Sequence, residues 1–172
     1  MAYAALFLAL CLVLPMLTGQ IPQIGSMLLP MHIPVLLCGL VCGWQYGAAV
    51  GFVAPLLRSV LFGMPPMYPV AIAMAFELLT YGLVIGLVYR RMAQKGAAGV
   101  YAALLTAMVA GRLVWGVAEV VLLGLGGKAF TAQAFLAGAL LNAVPGIIVQ
   151  LVLIPAVMAA LQKAGAVKEY AE

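Results

Sequence analysis

Long apolar runs constrain the fold of this chain more than any other feature. The run from about residue 97 to 125 contains only two charged side chains, Arg112 and Glu119. An α-helix of about 20 apolar residues crosses the hydrocarbon core of a bilayer. Because 67% of the residues are hydrophobic and 7% are charged, too little polar surface remains for a water-soluble domain. The sequence therefore predicts an all-α, polytopic membrane protein.

The N-terminal run is interpreted as a first transmembrane helix and not as a secretory signal peptide. A signal peptide carries positive charge before its apolar core, whereas no Lys or Arg precedes Arg58. The basic residues are found near predicted helix ends, as membrane topology requires, and form no patch for nucleic acid. The three cysteines lie in apolar runs without metal-ligand spacing, so neither a metal nor a cofactor is expected.

Prolines and glycines divide the chain into predicted helices within a single transmembrane domain, residues 1–172. The predicted ranges are about 3–18, 33–45, 47–62, 69–90, 97–125 and 131–162. The region 33–62 is ambiguous, because its GWQYG segment (43–47) either turns the chain or continues one long helix. The chain has six helices in the first case and five in the second. Glycines spaced by four residues within 39–51 and 82–86 predict close helix packing.

A few polar side chains are predicted at membrane depth, where they are costly and usually face a cavity or one another. Glu77 lies roughly 12 Å into its predicted helix at 1.5 Å per residue and shares a face with Tyr81. In the last predicted helix, Asn142 lies near Pro145, which cannot donate a backbone hydrogen bond and so frees a carbonyl. Gln150 lies deeper in that helix. Broken helices at this depth often mark binding sites.

A polar and aromatic stripe follows the predicted helix at 97–125. At about 100° per residue, Arg112, Trp115 and Glu119 share one face. Two interpretations remain open. One is a charge-neutral packing network of two arginines and two glutamates: Arg58, Arg112, Glu77 and Glu119. The other is a binding pocket in the outer half of the membrane.

The motifs of the common enzyme classes are absent. The chain has no Asp and a single histidine, His32, and lacks HExxH, GxSxG and a phosphate-binding glycine loop. We therefore expect no catalytic activity. His32 is instead a candidate ligand contact, because it lies where a proline-rich loop enters the second predicted helix. We find no internal repeat of the kind that many self-sufficient transporters carry. A small membrane assembly or scaffold subunit without a small-molecule ligand remains an alternative.

Three segments resemble the substrate-binding S component of energy-coupling factor (ECF) transporters. They are HIPVLL (32–37), AMAFELLTYGLVIGLVYR (73–90) and NAVPGIIVQLVLIPAV (142–157). The resemblance implies a six-helix bundle in a bacterial plasma membrane, with both termini cytoplasmic and a turn near residues 44–47. It also implies an outward-facing pocket for a water-soluble vitamin or related micronutrient, covered by the loop at 19–31. Such proteins work with a membrane coupling subunit and two ATPases, which reorient the S component to release substrate inside.

Specific residues follow from this resemblance. S components dock on the coupling subunit through an AxxxA motif on the first helix, a spacing that Ala5 and Ala9 have here. The candidate substrate contacts are Glu77, Tyr81, Arg112, Trp115, Glu119, Asn142, Arg58 and His32. Arginines suit a carboxylate through bidentate hydrogen bonds, as in pantothenate or a nicotinate-like ring, and aromatic side chains suit a heteroaromatic ring. Glutamate and asparagine suit ring nitrogens or hydroxyls.

Overall fold

A computed structural model describes residues 2–17, 29–92, 96–126, 143–165 and 167. Regular structure in these ranges is entirely helical, which confirms the all-α prediction. The helices are α1 (Ala2–Leu17), α2 (His32–Cys42), α3 (Trp44–Phe62), α4 (Ile72–Met92), α5 (Ala97–Leu125) and α6 (Val144–Lys163). One π-helical turn, Met67–Ala71, leads directly into α4. The part of the last predicted helix at 131–142 lies outside the described residues.

Among the described residues, four helical segments are long and apolar enough to cross a membrane by length and composition. They are Trp44–Phe62, Met67–Met92, Ala97–Leu125 and Val144–Lys163. The helices α1 and α2 are apolar but shorter, with 16 and 11 residues. An 11-residue helix is only about 16 Å long at 1.5 Å per residue. Therefore α2 by itself does not span the roughly 30 Å hydrocarbon core.

Gly43 resolves the ambiguity of the 33–62 region in favour of two helices. Its φ of 91° lies in a region that residues with a Cβ rarely adopt, so the helix ends at Cys42 and a new one begins at Trp44. Gly43 therefore breaks the helix and does not take part in the packing expected of the glycine series.

The remaining glycines allow α4 to pack closely against α2 and α3. A Cβ on Gly82 would lie 2.2 Å from the carbonyl carbon of Gly47, and one on Gly51 would lie 2.2 Å from the carbonyl oxygen of Leu78. A Cβ on Gly39 would lie 2.7 Å from the carbonyl oxygen of Gly82. These backbone contacts confirm the close packing predicted from the glycine spacing. They bring α4 to the centre of the bundle.

Contacts along α4 also set the helix directions. Gly51 of α3 lies beside Leu78, whereas Trp44 lies beside Gly86, so α3 and α4 are antiparallel. On the other side, Gly99 of α5 contacts Met92 while Arg112 contacts Glu77, so α5 is also antiparallel to α4. The end of α4 with Arg90 and Arg91 is thus level with the α2–α3 turn and the start of α5.

Candidate functional site

Glu77 of α4 connects three helices. Its Oε1 atom lies 3.0 Å from Nη1 of Arg112 on α5 and 3.5 Å from Nε2 of His32 on α2. Glu77 and His32 are each 1% exposed. The structure thus brings together three candidates that are 45 and 35 residues apart along the chain. We call His32, Glu77, Tyr81 and Arg112 the central cluster.

The central cluster lies well inside the apolar layer. Glu77 follows Met67 by 10 residues and precedes Met92 by 15. At 1.5 Å per residue, these separations correspond to about 15 Å and 22 Å along the helix. His32, the first residue of α2, contacts Glu77 at this depth. The short helix α2 therefore begins inside the bundle and not at its surface.

Tyr81 completes the central cluster through its ring. It lies one turn after Glu77 on α4, on the same face, and is 2% exposed. The rings of Tyr81 and His32 meet edge to face, with centroids 5.1 Å apart and planes inclined by 74°. Gly111 of α5 makes room for the phenol, since a Cβ there would lie 2.9 Å from the Tyr81 ring. Because position 111 has no side chain, the Tyr81 ring fits between α4 and α5 while it contacts His32.

The stripe predicted on α5 extends from the central cluster toward the other end of the bundle. The guanidinium carbon of Arg112 lies 5.9 Å from the ring centroid of Trp115, within the range of a cation–π contact. Glu119 follows one turn later and is 7% exposed. At the end of the stripe, the hydroxyl of Tyr68 donates a hydrogen bond to the carbonyl oxygen of Leu122.

The ion pairing differs in part from the proposed packing network. Within the described ranges, Arg112 forms an ion pair with Glu77 and none with Glu119. Arg58 is 3% exposed and donates a hydrogen bond of 2.8 Å to the carbonyl oxygen of Leu12 on α1. Its guanidinium also lies 5.5 Å from the centroid of Phe62. The contacts of Arg58 are therefore with α1 and its own helix, whereas Arg112 belongs to the central cluster.

Gln150 of α6 lies at the depth of this site, although the sequence did not single it out as a contact. Its side chain is 1% exposed. The amide of Gln162, 12 residues further along α6, donates a hydrogen bond of 3.2 Å to the hydroxyl of Tyr89, which is 12 residues after Glu77. Gln150 on α6 and Glu77 on α4 each precede this hydrogen bond by 12 residues, which corresponds to about 18 Å along each helix. Gln150 and Glu77 consequently lie at about the same depth.

Several buried nitrogen atoms at this depth lack a hydrogen-bond partner among the described residues. They are Nε and Nη2 of Arg112, both ring nitrogens of His32 and Nε2 of Gln150. Buried polar groups are nearly always hydrogen-bonded, and leaving one unsatisfied costs about 1–3 kcal/mol. A polar molecule that supplies acceptor atoms would satisfy the nitrogens of Arg112 and Gln150. The arrangement is therefore suited to binding such a molecule.

Three candidates remain: Asn142, Ala5 and Ala9. Asn142 lies outside the described residues, as does most of the loop at 19–31. Ala5 and Ala9 are exposed on α1, on the side opposite the buried Phe7 and Cys11. Among described residues, no group of three or more His, Cys, Asp or Glu side chains could hold a metal ion.

Comparison with known protein families supports a binding role. The family model described as "ECF transporter, substrate-specific component" matches residues 1–159. The chain belongs to this family. The resemblance seen in the sequence is thereby confirmed, and the ECF component is a substrate-binding membrane subunit that associates with a coupling module. Comparison with curated proteins and with solved structures produced no match.

Proposed function

We propose that this ECF component captures a small water-soluble vitamin or vitamin precursor at the outer face of a bacterial plasma membrane. A membrane coupling subunit with two ATPases then reorients it, and the ligand is released inside. The observation that carries this proposal is the contact of His32 and Arg112 with Glu77 at half depth. Lipid offers no hydrogen bonds to such groups, so they are retained there chiefly for a function.

The unpaired nitrogens favour a binding site over a packing network. A network that only joined helices would be expected to satisfy its own donors, because a partly satisfied buried network is less stable than an apolar one. Within the described chain, Arg112 uses one nitrogen for Glu77 and leaves two without a partner. Gln150 adds a further unpaired donor at the same depth. A bound ligand with acceptor atoms accounts for the unpaired donors of Arg112 and Gln150.

Charge at the helix ends supports access from the outer side. Arg90 and Arg91 close α4, and Lys163 closes α6, so this end is assigned to the cytoplasm. Trp115 and Glu119 extend from Arg112 toward the opposite end. They provide polar and aromatic contacts along a path from the outer surface to the central cluster. We assign both termini to the cytoplasm on the same grounds.

The exposed side of α1 supports a separate docking surface. Ala5 and Ala9 present small side chains one turn apart on the outside of the bundle. Small residues at this spacing let another helix approach closely in a membrane. We therefore assign Ala5 and Ala9 to contact with the coupling subunit. The binding cluster and the docking surface then involve different helices.

Native mass spectrometry of the purified full chain tests this function. The protein is released from detergent micelles, and a retained small molecule is identified by mass. Thermal stability is then measured with a panel of riboflavin, thiamine, pyridoxine, nicotinate, pantothenate and biotin. We expect one compound to raise Tm in a saturable manner. If a folded sample retains nothing and no compound raises Tm, the substrate-capture proposal is wrong and the assembly-subunit alternative is favoured.

A further inference from the structure

The two edges of the Arg112 guanidinium differ in their contacts. Nη1 lies 3.0 Å from Oε1 of Glu77, whereas Nε and Nη2 are buried without a hydrogen-bond partner in the described ranges. Nε and Nη2 lie on the same edge of the guanidinium plane, and their N–H groups point in parallel. This edge matches the two oxygens of a carboxylate, which accepts such a pair of hydrogen bonds.

The neighbours of Arg112 hold this edge in position. Glu77 restrains the opposite side of the guanidinium through the ion pair, and Trp115 contacts it at 5.9 Å from the ring centroid. With its plane restrained in this way, Arg112 loses less rotational freedom when a ligand binds, so affinity rises. The contacts of Arg112 thus orient its Nε–Nη2 edge.

Gln150 supplies an independent donor at the same depth. Its side chain is 1% exposed, and its Nε2 atom has no partner in the part of the chain that the structure describes. The register of α6 against α4, set by the hydrogen bond from Gln162 to Tyr89, puts Gln150 level with Glu77. Two helices therefore each present unpaired N–H donors at one level of the bundle.

We propose that the ligand carries a carboxylate, which binds the Nε–Nη2 edge of Arg112 with the Gln150 amide as an additional donor. This inference rests on the proposed function and assigns the chemical class of its substrate. A carboxylate is favoured over a neutral carbonyl because it accepts both hydrogen bonds of the edge at once. Charge-assisted hydrogen bonds are also about twice as strong as neutral ones.

Glu119 sets the orientation of the ligand. It lies seven residues beyond Arg112 on the same face of α5, which corresponds to about 10 Å toward the outer side. A ligand carboxylate near Glu119 would be repelled, whereas one at Arg112 would be attracted. The ligand therefore enters with its acid group first. A hydroxyl or N–H group at its other end would suit Glu119 as an acceptor.

Binding measurements with matched acid and neutral compounds test the inference. The probes are nicotinate with nicotinamide, pantothenate with pantothenol, and biotin with biotinamide, each titrated calorimetrically into the full chain in detergent. Riboflavin, thiamine and pyridoxine complete the panel. We expect an acid to bind at least tenfold more tightly than its neutral partner.

Two variants test whether the ligand carboxylate binds at Arg112 and Gln150. Arg112→Lys keeps a positive charge for Glu77 but lacks the Nε–Nη2 edge, and Gln150→Leu removes the amide donor. Because a hydrogen bond to a charged group contributes about 1.5–3 kcal/mol, each variant should weaken the acid by roughly tenfold to a hundredfold. The neutral compound should change much less. Gln45→Leu is the matched control, because Gln45 is exposed near the start of α3, and it should leave affinity unchanged.

The outcomes separate this inference from the proposed function. If a neutral or cationic vitamin binds more tightly than every acid, the carboxylate assignment is wrong and vitamin capture stands. The assignment is also wrong if Arg112→Lys and Gln150→Leu, both folded, bind the acid like the unaltered protein. If a folded sample binds nothing on the panel, both proposals are wrong. Should Arg112→Lys fail to fold, Gln150→Leu alone decides the assignment.

Discussion

Oε1 of Glu77 lies 3.0 Å from Nη1 of Arg112, and this contact joins α4 to α5 inside the apolar layer. Each partner offsets the cost of burying the other's charge. The same contact leaves the other edge of the guanidinium without a partner in the described structure. One ion pair thus stabilises the bundle and orients the group that we assign to the ligand.

Glu77→Gln should therefore destabilise the protein and weaken ligand binding together. Removing one partner of a buried pair leaves an uncompensated charge and costs about 3–5 kcal/mol, so we expect a marked fall of Tm in detergent. The double variant Glu77→Gln/Arg112→Met removes both charges and should recover most of the lost stability while remaining unable to bind. Full binding by the folded double variant would contradict the role given to Arg112.

Arg58→Met should behave differently from substitutions at Arg112. Arg58 donates to the carbonyl oxygen of Leu12 and contacts Phe62, so its loss should loosen α1 from α3. We expect stability to fall by about 1–3 kcal/mol, the cost of a lost buried hydrogen bond, with ligand affinity almost unchanged. Thermal unfolding and calorimetry on one sample measure both. A large loss of affinity with unchanged Tm would instead make Arg58 a substrate contact.

Gly82→Ala should disrupt the centre of the bundle. The new methyl group would lie 2.2 Å from the backbone of Gly47, a distance that only a shift of α3 can relieve. Overpacking of this kind typically costs about 1–3 kcal/mol or more, and we expect a lower Tm or loss of folded protein. Gly124→Ala is the matched control on α5, because a Cβ there would meet no neighbouring atom of the described residues within 4 Å. Equal effects of the two substitutions would disprove the tight α3–α4 contact.

Gly111→Ala should affect ligand binding through Tyr81. A methyl group at 111 would lie 2.9 Å from the phenol ring, which then has to move relative to His32. Because a side chain yields more easily than a backbone, we expect a smaller stability loss than for Gly82→Ala and a weaker affinity. Gly111→Ala combined with Tyr81→Leu should show non-additive effects on affinity, as expected for residues in contact. Strict additivity would exclude this coupling.

Ala5→Trp combined with Ala9→Trp should impair transport and spare binding. The two indoles would prevent a partner helix from approaching the exposed side of α1, while the central cluster is built on other helices. Ligand uptake into cells and co-purification with the coupling subunit should both fall, with calorimetric affinity preserved. The control is Leu105→Trp with Val109→Trp on α5, at positions 51% and 63% exposed. Equal loss of uptake in the control would contradict the assignment of Ala5 and Ala9 to contact with the coupling subunit.

Much of the fold was predictable because lipid imposes a simple rule on the sequence. A backbone in hydrocarbon has to satisfy its own hydrogen bonds, so apolar runs indicate helices. Glycines at spacing four indicated where Gly47 and Gly82 meet. The break at Gly43 was less certain, because a glycine in an apolar run fits both a continuous helix and a positive φ.

The central cluster was predictable only in part. The sequence indicated that Glu77 and Arg112 are costly in a membrane, and it named His32 as a candidate ligand contact at the end of a loop. It placed Arg58 in the same set, although this residue contacts α1. It also gave Gln150 no role, since the depth of a single amide follows from the register of α6 against α4.

The sequence by itself determined the membrane setting, the all-α class and the short set of polar side chains within the apolar layer. Hydrophobicity and helical periodicity are local properties, and they suffice for these conclusions. Only the tertiary structure decided that Arg112 pairs with Glu77 and not with Glu119, and that α2 begins at the depth of the cluster. Partner choice between helices depends on packing register, which the close contacts at Gly47, Gly82 and Gly111 set to within one turn.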